Sequence, residues 1–133
     1  MNYRIIENTE NMKLEDIVRL LRMTYWADKR PEETIAKSIR ESDCFGICTD
    51  TTDQLIGFAR VITDHATAYY LCDVIVDPEY RGNGLGKALV SHIVSRPEYA
   101  GLHGFLFTRD AHGLYEHYGF ERSEGRTMVR PAR

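Results

Sequence analysis

The chain has little of several things that would point to a function at once. Cysteine is scarce: Cys44, Cys48 and Cys72 are the three in 133 residues, an odd number with no Cys-x-x-Cys pair. No closed disulfide set can form. Their apolar neighbours Phe45, Ile47 and Leu71 are the setting of buried thiols in strands, which suits a reducing compartment. No apolar run approaches the ~20 residues that a membrane span needs. The opening residues, Met1 to Glu7, carry no signal-peptide apolar stretch. A cytoplasmic, soluble protein with no membrane contact is therefore expected. Basic charge is not in excess either, with 17 Lys+Arg against 20 Asp+Glu, a formal net charge of −3, and no basic run. Domains that grip phosphate backbones usually carry a net basic face, so nucleic acid is not an expected partner. His112 and His117 miss the H-E-x-x-H spacing, and no metal is expected.

What is present fits one domain spanning residues 1–133, with 43% hydrophobic and 28% charged residues. Tyr3 to Glu7 reads as a strand. Leu14, Ile17, Val18, Leu21 and Tyr25 recur at helical spacing and predict a helix over about residues 12–25. Pro31 followed by Glu32 and Glu33 predicts the start of a second helix, with Ile35 and Ile39 as its apolar stripe. The period then changes to two. Cys44 to Thr49 and Leu55 to Ile62 form a predicted hairpin around a polar turn, and Tyr69 to Val76 a third strand. A helix follows from Gly84 and stops at Pro97. Phe105 to Thr108 is a further predicted strand. A short helix, N-capped by Asp110 and carrying Leu114, Tyr115 and Tyr118, ends at Gly119. Arg126 to Val129 is expected to add a last strand whose edge could support a homodimer. The order predicts an α+β (mixed α/β) fold, with helices on a largely antiparallel sheet.

The segment Val74 to Leu89 is the most informative. A strand passes through Asp77-Pro78-Glu79-Tyr80-Arg81-Gly82-Asn83-Gly84-Leu85-Gly86-Lys87 into a helix. Glycines there let backbone N–H groups converge at the positive end of a helix dipole, an anion site suited to pyrophosphate. A P-loop is excluded, because Arg81 stands at its first glycine position and Ala88 after the lysine. A dinucleotide fingerprint is excluded by Lys87 at its third glycine position. The pattern that remains is R-x-x-G-x-G.

That pattern, together with Gly113-Leu114-Tyr115-Glu116-His117-Tyr118-Gly119-Phe120, resembles the GNAT acyltransferase superfamily. The resemblance implies a central, mostly antiparallel twisted sheet of about six to seven strands flanked by four helices. It implies acetyl-CoA as cosubstrate, with the pyrophosphate on the backbone of Arg81, Gly82, Asn83, Gly84, Leu85, Gly86 and Lys87. The pantetheine arm would pair with Ile75 and Val76. Tyr115 falls where the family commonly places its general acid, and Tyr25 and Trp26 where the acceptor pocket is often lined.

The residues themselves add one oddity. Asp73 is a carboxylate inside a strand of Tyr, Leu, Cys, Val and Ile, where propensity disfavours it, so it needs partners or a task. It is the candidate for a catalytic base or a substrate-binding group, with a structural hydrogen-bonding role as the alternative. Asp64 and His65 lie on a loop that could reach the acceptor, and Asp28, Asp64 and Asp73 together hint at a cationic amine. The expected reaction is transfer of an acetyl group from acetyl-CoA to a primary amine of a small molecule, by direct attack in a ternary complex. Two alternatives stand beside it: a protein or peptide amine as acceptor, and an acyl-CoA-binding regulatory module without catalysis.

Overall fold

Residue parity along the strands decides which side chains meet which helices, and one break in that parity builds the site. The computed structural model describes residues 1–132. Its elements run β1 (Tyr3–Glu7), α1 (Leu14–Leu21), α2 (Glu32–Arg40), β2 (Asp43–Thr49), β3 (Leu55–Thr63), β4 (Ala68–Val76), α3 (Leu85–Val94), α4 (Pro97–Ala100), β5 (His103–Phe105) and α5 (His112–Glu116). The five strands form one sheet in the order β1-β2-β3-β4-β5. The first three pairings are antiparallel, and β4 with β5 is parallel.

The sheet is covered on both faces. Cys44, Cys48, Leu55 and Phe58 pack against Ile17, Leu20 and Leu21 of α1 and Ile35 and Ile39 of α2. Phe45, Ile47, Ile56 and Val61 pack on the opposite face, against Leu85, Leu89 and Ile93 of α3 and Tyr99 of α4. In β4, Tyr69 and Leu71 face α3, but further along it is Val74 and Val76 that do so, while Ile75 joins the α1–α2 core. The switch from odd to even positions requires one extra residue. That residue lies where the β3–β4 register shifts between Phe58 and Arg60. Asp73 occupies it with φ +53, a left-handed backbone rare for a non-glycine residue.

The described residues form five strands, in one sheet, and five α-helices, a correction to the six to seven strands and four helices expected. No strand forms over Arg126–Val129. Met128 is 97% exposed and Val129 66%, so no side-chain burial offsets the entropy of ordering them. β5 occupies His103–Phe105 rather than 105–108, because β4 and β5 pair only from Ala68/His103 to Tyr70/Phe105 and then part. Pro97 starts α4 as well as following α3. Helix α1 ends at Leu21, not Tyr25. Thr24 explains it: its buried hydroxyl donates to Leu21 C=O at 2.8 Å and accepts from Ala27 N–H at 3.0 Å, closing a turn in place of the next helical bonds.

Candidate active site

The glycine loop is built as the sequence predicts. Asp77 N–H bonds to Ile56 C=O at 2.8 Å, which anchors the end of β4 to β3. Its Oδ1 accepts from Glu79 N–H at 3.0 Å and caps a 3-10 turn over Pro78–Tyr80. Its Oδ2 accepts from Arg19 Nη1 at 2.9 Å, and Arg19 Nη2 also donates to Leu55 C=O at 2.6 Å. Helix α1 thereby fixes the entry to the loop. Gly82 and Gly84 then take φ +86 and +74. A Cβ at either would meet nothing within 4 Å, so the space above the loop is open. Helix α3 closes its first bond from Ala88 N–H to Gly84 C=O at 3.0 Å, which leaves the amides of Leu85, Gly86 and Lys87 without helical partners. Lys87 also lines a cavity of about 340 Å³ with Gly113, Leu114 and His117, so the first turn of α3 and helix α5 face a common space.

Past Tyr70, the β5 side of β4 has no strand partner among the described residues. Ile75 and Val76 lie on this unpaired stretch, next to the loop. The strand edge, the open glycine turn and the free helix N-terminus form one continuous track. It offers hydrogen-bond donors and acceptors first and converging free amides, suited to an anion, after.

The fold as a whole is shared with solved structures. A protein of the GNAT family from Xanthomonas campestris pv. campestris superposes with a TM-score of 0.91 and 37% identity, over 99% of this chain and 94% of that one. The family model described as the acetyltransferase (GNAT) domain matches residues 40–122. The chain belongs to the GNAT acetyltransferase family. Among curated relatives, the uncharacterized N-acetyltransferase ycf52 of Porphyra purpurea is 27% identical, over 86% of this chain and 68% of its own. The GCN5-related N-acetyltransferase 2, chloroplastic, of Arabidopsis thaliana is 41% identical over 70 residues, 51% of this chain. The match spans only 27% of that relative's length. No described helix is long and apolar enough to cross a membrane.

Within this GNAT domain, Asp73 is 6% exposed and fully engaged. Its Oδ2 accepts from Arg30 Nη1 at 2.8 Å and from Arg60 Nε at 2.9 Å, and its Oδ1 from Trp26 Nε1 at 3.0 Å. Burial pushes the carboxyl up, but the two guanidiniums outweigh it and hold the group below its ordinary range. Trp26 meets Tyr25 edge-on at 5.0 Å, and both stand in the turn after α1. Tyr115 packs edge-on against Phe120 at 6.0 Å on the α3 face, and burial raises its phenol above the usual value.

The other two expected residues are placed elsewhere. Asp64 closes the β3–β4 turn, its Oδ1 accepting from Ala66 N–H at 2.9 Å and Thr67 N–H at 2.8 Å. Those bonds hold its carboxyl well below the carboxylate range. His65 turns to the α3 face, 3.4 Å from Asp43, and lines a separate cavity of about 380 Å³ with Glu7, Arg96, Glu98 and Tyr99. Asp110 does not cap α5; Thr108 does the local work, its Oγ1 accepting from Ala111 N–H at 3.0 Å.

Sequence reasoning assigned no role to Arg30, Arg60, Tyr70, Phe105, Phe107 or Arg109. The register pair Arg60↔Cys72 sets Arg60 beside the bulge. Tyr70 stacks on Phe105 at 5.2 Å, and Phe107 meets it edge-on at 5.7 Å. Arg109 lies over the Tyr25 ring at 3.9 Å. Alternating sequence could have paired Tyr70 with Phe105, but the parity break at Asp73 could not be read from residue types.

Proposed function

We propose that this chain transfers an acetyl group from acetyl-CoA to a primary amine of a small molecule, within a ternary complex. The observation that carries this reading is the continuous track from the unpaired edge of β4, through the open glycine turn, to the N-terminus of α3. The residues present fit the cosubstrate. Of the expected Arg81 to Lys87, the Arg81 amide is turned to Pro78 C=O at 3.4 Å, so the amides of Gly82 to Lys87 would hold the pyrophosphate, and the backbone of Ile75 and Val76 the pantetheine arm. Acetyl-CoA supplies the activated acyl group as a thioester. A β4 backbone N–H near the bulge would face the carbonyl oxygen on which charge develops during attack.

An amine acceptor with a pKa near ~10 is protonated at neutral pH and must lose a proton before it attacks. The departing thiolate, of thiol pKa near ~8.5, gains from receiving one. Tyr115 is assigned that donation, since its raised pKa keeps the phenol protonated across the neutral range. Asp73 is assigned the structural hydrogen-bonding alternative, holding Trp26, Arg30 and Arg60 in place. A carboxyl that two guanidiniums hold ionised is a weak proton acceptor for an ammonium group. Water can take the amine's proton on the open side of the site.

The test is release of free CoA thiol from acetyl-CoA across a panel of amines, amino acids, polyamines and peptides. Release that depends on a small amine supports the reading. Tight CoA binding with no release for any acceptor would identify a binding module instead.

A further inference from the structure

The carboxylate of Asp73 does not balance the charge around it. Two guanidiniums converge on one carboxylate, and the next partner of Arg60 is neutral, Ser42 Oγ at 3.2 Å. A third guanidinium, Arg109, stands over Tyr25, which in turn contacts Trp26. The bulge face therefore carries surplus positive charge that is fixed in position.

Two of the three acids that pointed to a cationic acceptor, Asp28, Asp64 and Asp73, are committed. Asp64 is consumed by its own turn and Asp73 by its arginines. Arg30 uses a single N–H on Asp73, and its side chain keeps 24% exposure, against 11% for Arg60. A guanidinium has five donors in a planar fork that matches a carboxylate. Held by Asp73 and partly open, Arg30 is oriented before any ligand arrives, so little ordering cost remains.

An apolar wall adjoins this charge. Tyr70 and Phe105 stack within 4° of parallel, and Phe107 closes the edge while remaining 57% exposed. Tyr70 and Cys72 lie two apart on one face of β4, and Arg60 pairs with Cys72, so the wall stands beside the arginines that hold Asp73.

We propose that the acceptor is an amine that also carries a carboxylate and a flat apolar side chain, that is, an aromatic amino acid or a close analogue. Arg30 takes the carboxylate, and the Tyr70–Phe105–Phe107 wall takes the ring. This rests on the acetyl-transfer reading above and specifies its acceptor.

Trp26 is the only tryptophan of the chain and bonds directly to Asp73, so its emission reports on this site. The experiment titrates the protein, with and without saturating CoA, with phenylalanine, phenylalaninamide and phenethylamine. Phenylalanine should give a saturable change in emission with at least about tenfold tighter binding than either uncharged-tail analogue, a ratio equivalent to ~1.4 kcal/mol. In Arg30→Gln that preference should vanish. The wild-type comparison stands alone should the variant fold poorly. Equal binding of acid and amide, no saturable response to any of the three, or a preference that survives in folded Arg30→Gln would overturn the proposal. Calorimetry with CoA separates the two readings. If CoA binds without acid–amide discrimination, only the acceptor assignment fails; if CoA does not bind, the acetyl-transfer reading fails, and the titration without CoA still judges the acceptor.

Discussion

Arg60 Nε meets Asp73 Oδ2 at 2.9 Å across the one place where β3 and β4 lose their one-to-one register. The bulge and the ion pair depend on each other. The extra residue turns the carboxylate toward α1 and α2, and the arginines make its burial tolerable.

Asp73→Asn should therefore destabilise the fold markedly. Removing one partner of a buried pair costs about 3–5 kcal/mol, and the partial exposure of Arg30 puts the expectation at the lower end. The wild-type carboxyl is held below its unfolded value. Its contribution is thus fully present above the unfolded pKa near ~3.9 and is lost as pH falls through the folded value. Urea unfolding at pH 7 and again near pH 3.5 checks both points. The gap between wild type and variant should shrink at the lower pH, and a constant gap would remove this ion pair as its source.

Gly84→Val separates binding from folding. Gly84 caps α3 at φ +74, where a Cβ meets no protein atom. The fold should lose only the backbone strain of a left-handed residue, on the order of 1–2 kcal/mol. The side chain would enter the space assigned to the pyrophosphate, and acetyl-CoA should bind at least about tenfold more weakly, ~1.4 kcal/mol. Calorimetric titration reads the affinity, and unchanged affinity would end the loop's assigned role.

Much of the track from β4 through the glycine turn to α3 was legible because its constraints are local. Glycines at Gly82 and Gly84, a preceding strand and a following apolar stripe each have a one-dimensional signature, and all appear in place. No strand forms at Arg126–Val129, because short β-branched content does not by itself supply a partner strand. The face around Asp73 was the least legible. Arg30 and Arg60 lie 43 and 13 residues before Asp73 along the chain, and the fold alone brings them onto its carboxylate. Asp73 looked out of place by residue type, which was a sound signal of partners, though not of which ones.

The thiols should be silent in the native protein. Burial pushes Cys44 up to about 12 and Cys72 to about 11, with Arg60 only partly opposing it, and raises Cys48 as well. A free thiol ionises near ~8.5, and only the thiolate attacks. A chromophoric disulfide reagent at pH 8 should count three thiols in denaturant and react far more slowly without it. Fast stoichiometric reaction of the folded protein would contradict the packing of β2 and β4.

Tyr115→Phe tests the proton donor. The ring keeps its contact with Phe120, so stability and acetyl-CoA affinity should stay near wild type. Turnover should fall by roughly 10²–10⁴, the usual contribution of a positioned acid. In wild type the phenol must be protonated to donate, and burial raises it above its ordinary ~10. No loss of kcat from this group is therefore expected as pH rises through 9. Steady-state kinetics from pH 6 to 9.5, on wild type and variant, supply the check. A variant with full turnover would take Tyr115 out of the mechanism and leave proton delivery to solvent.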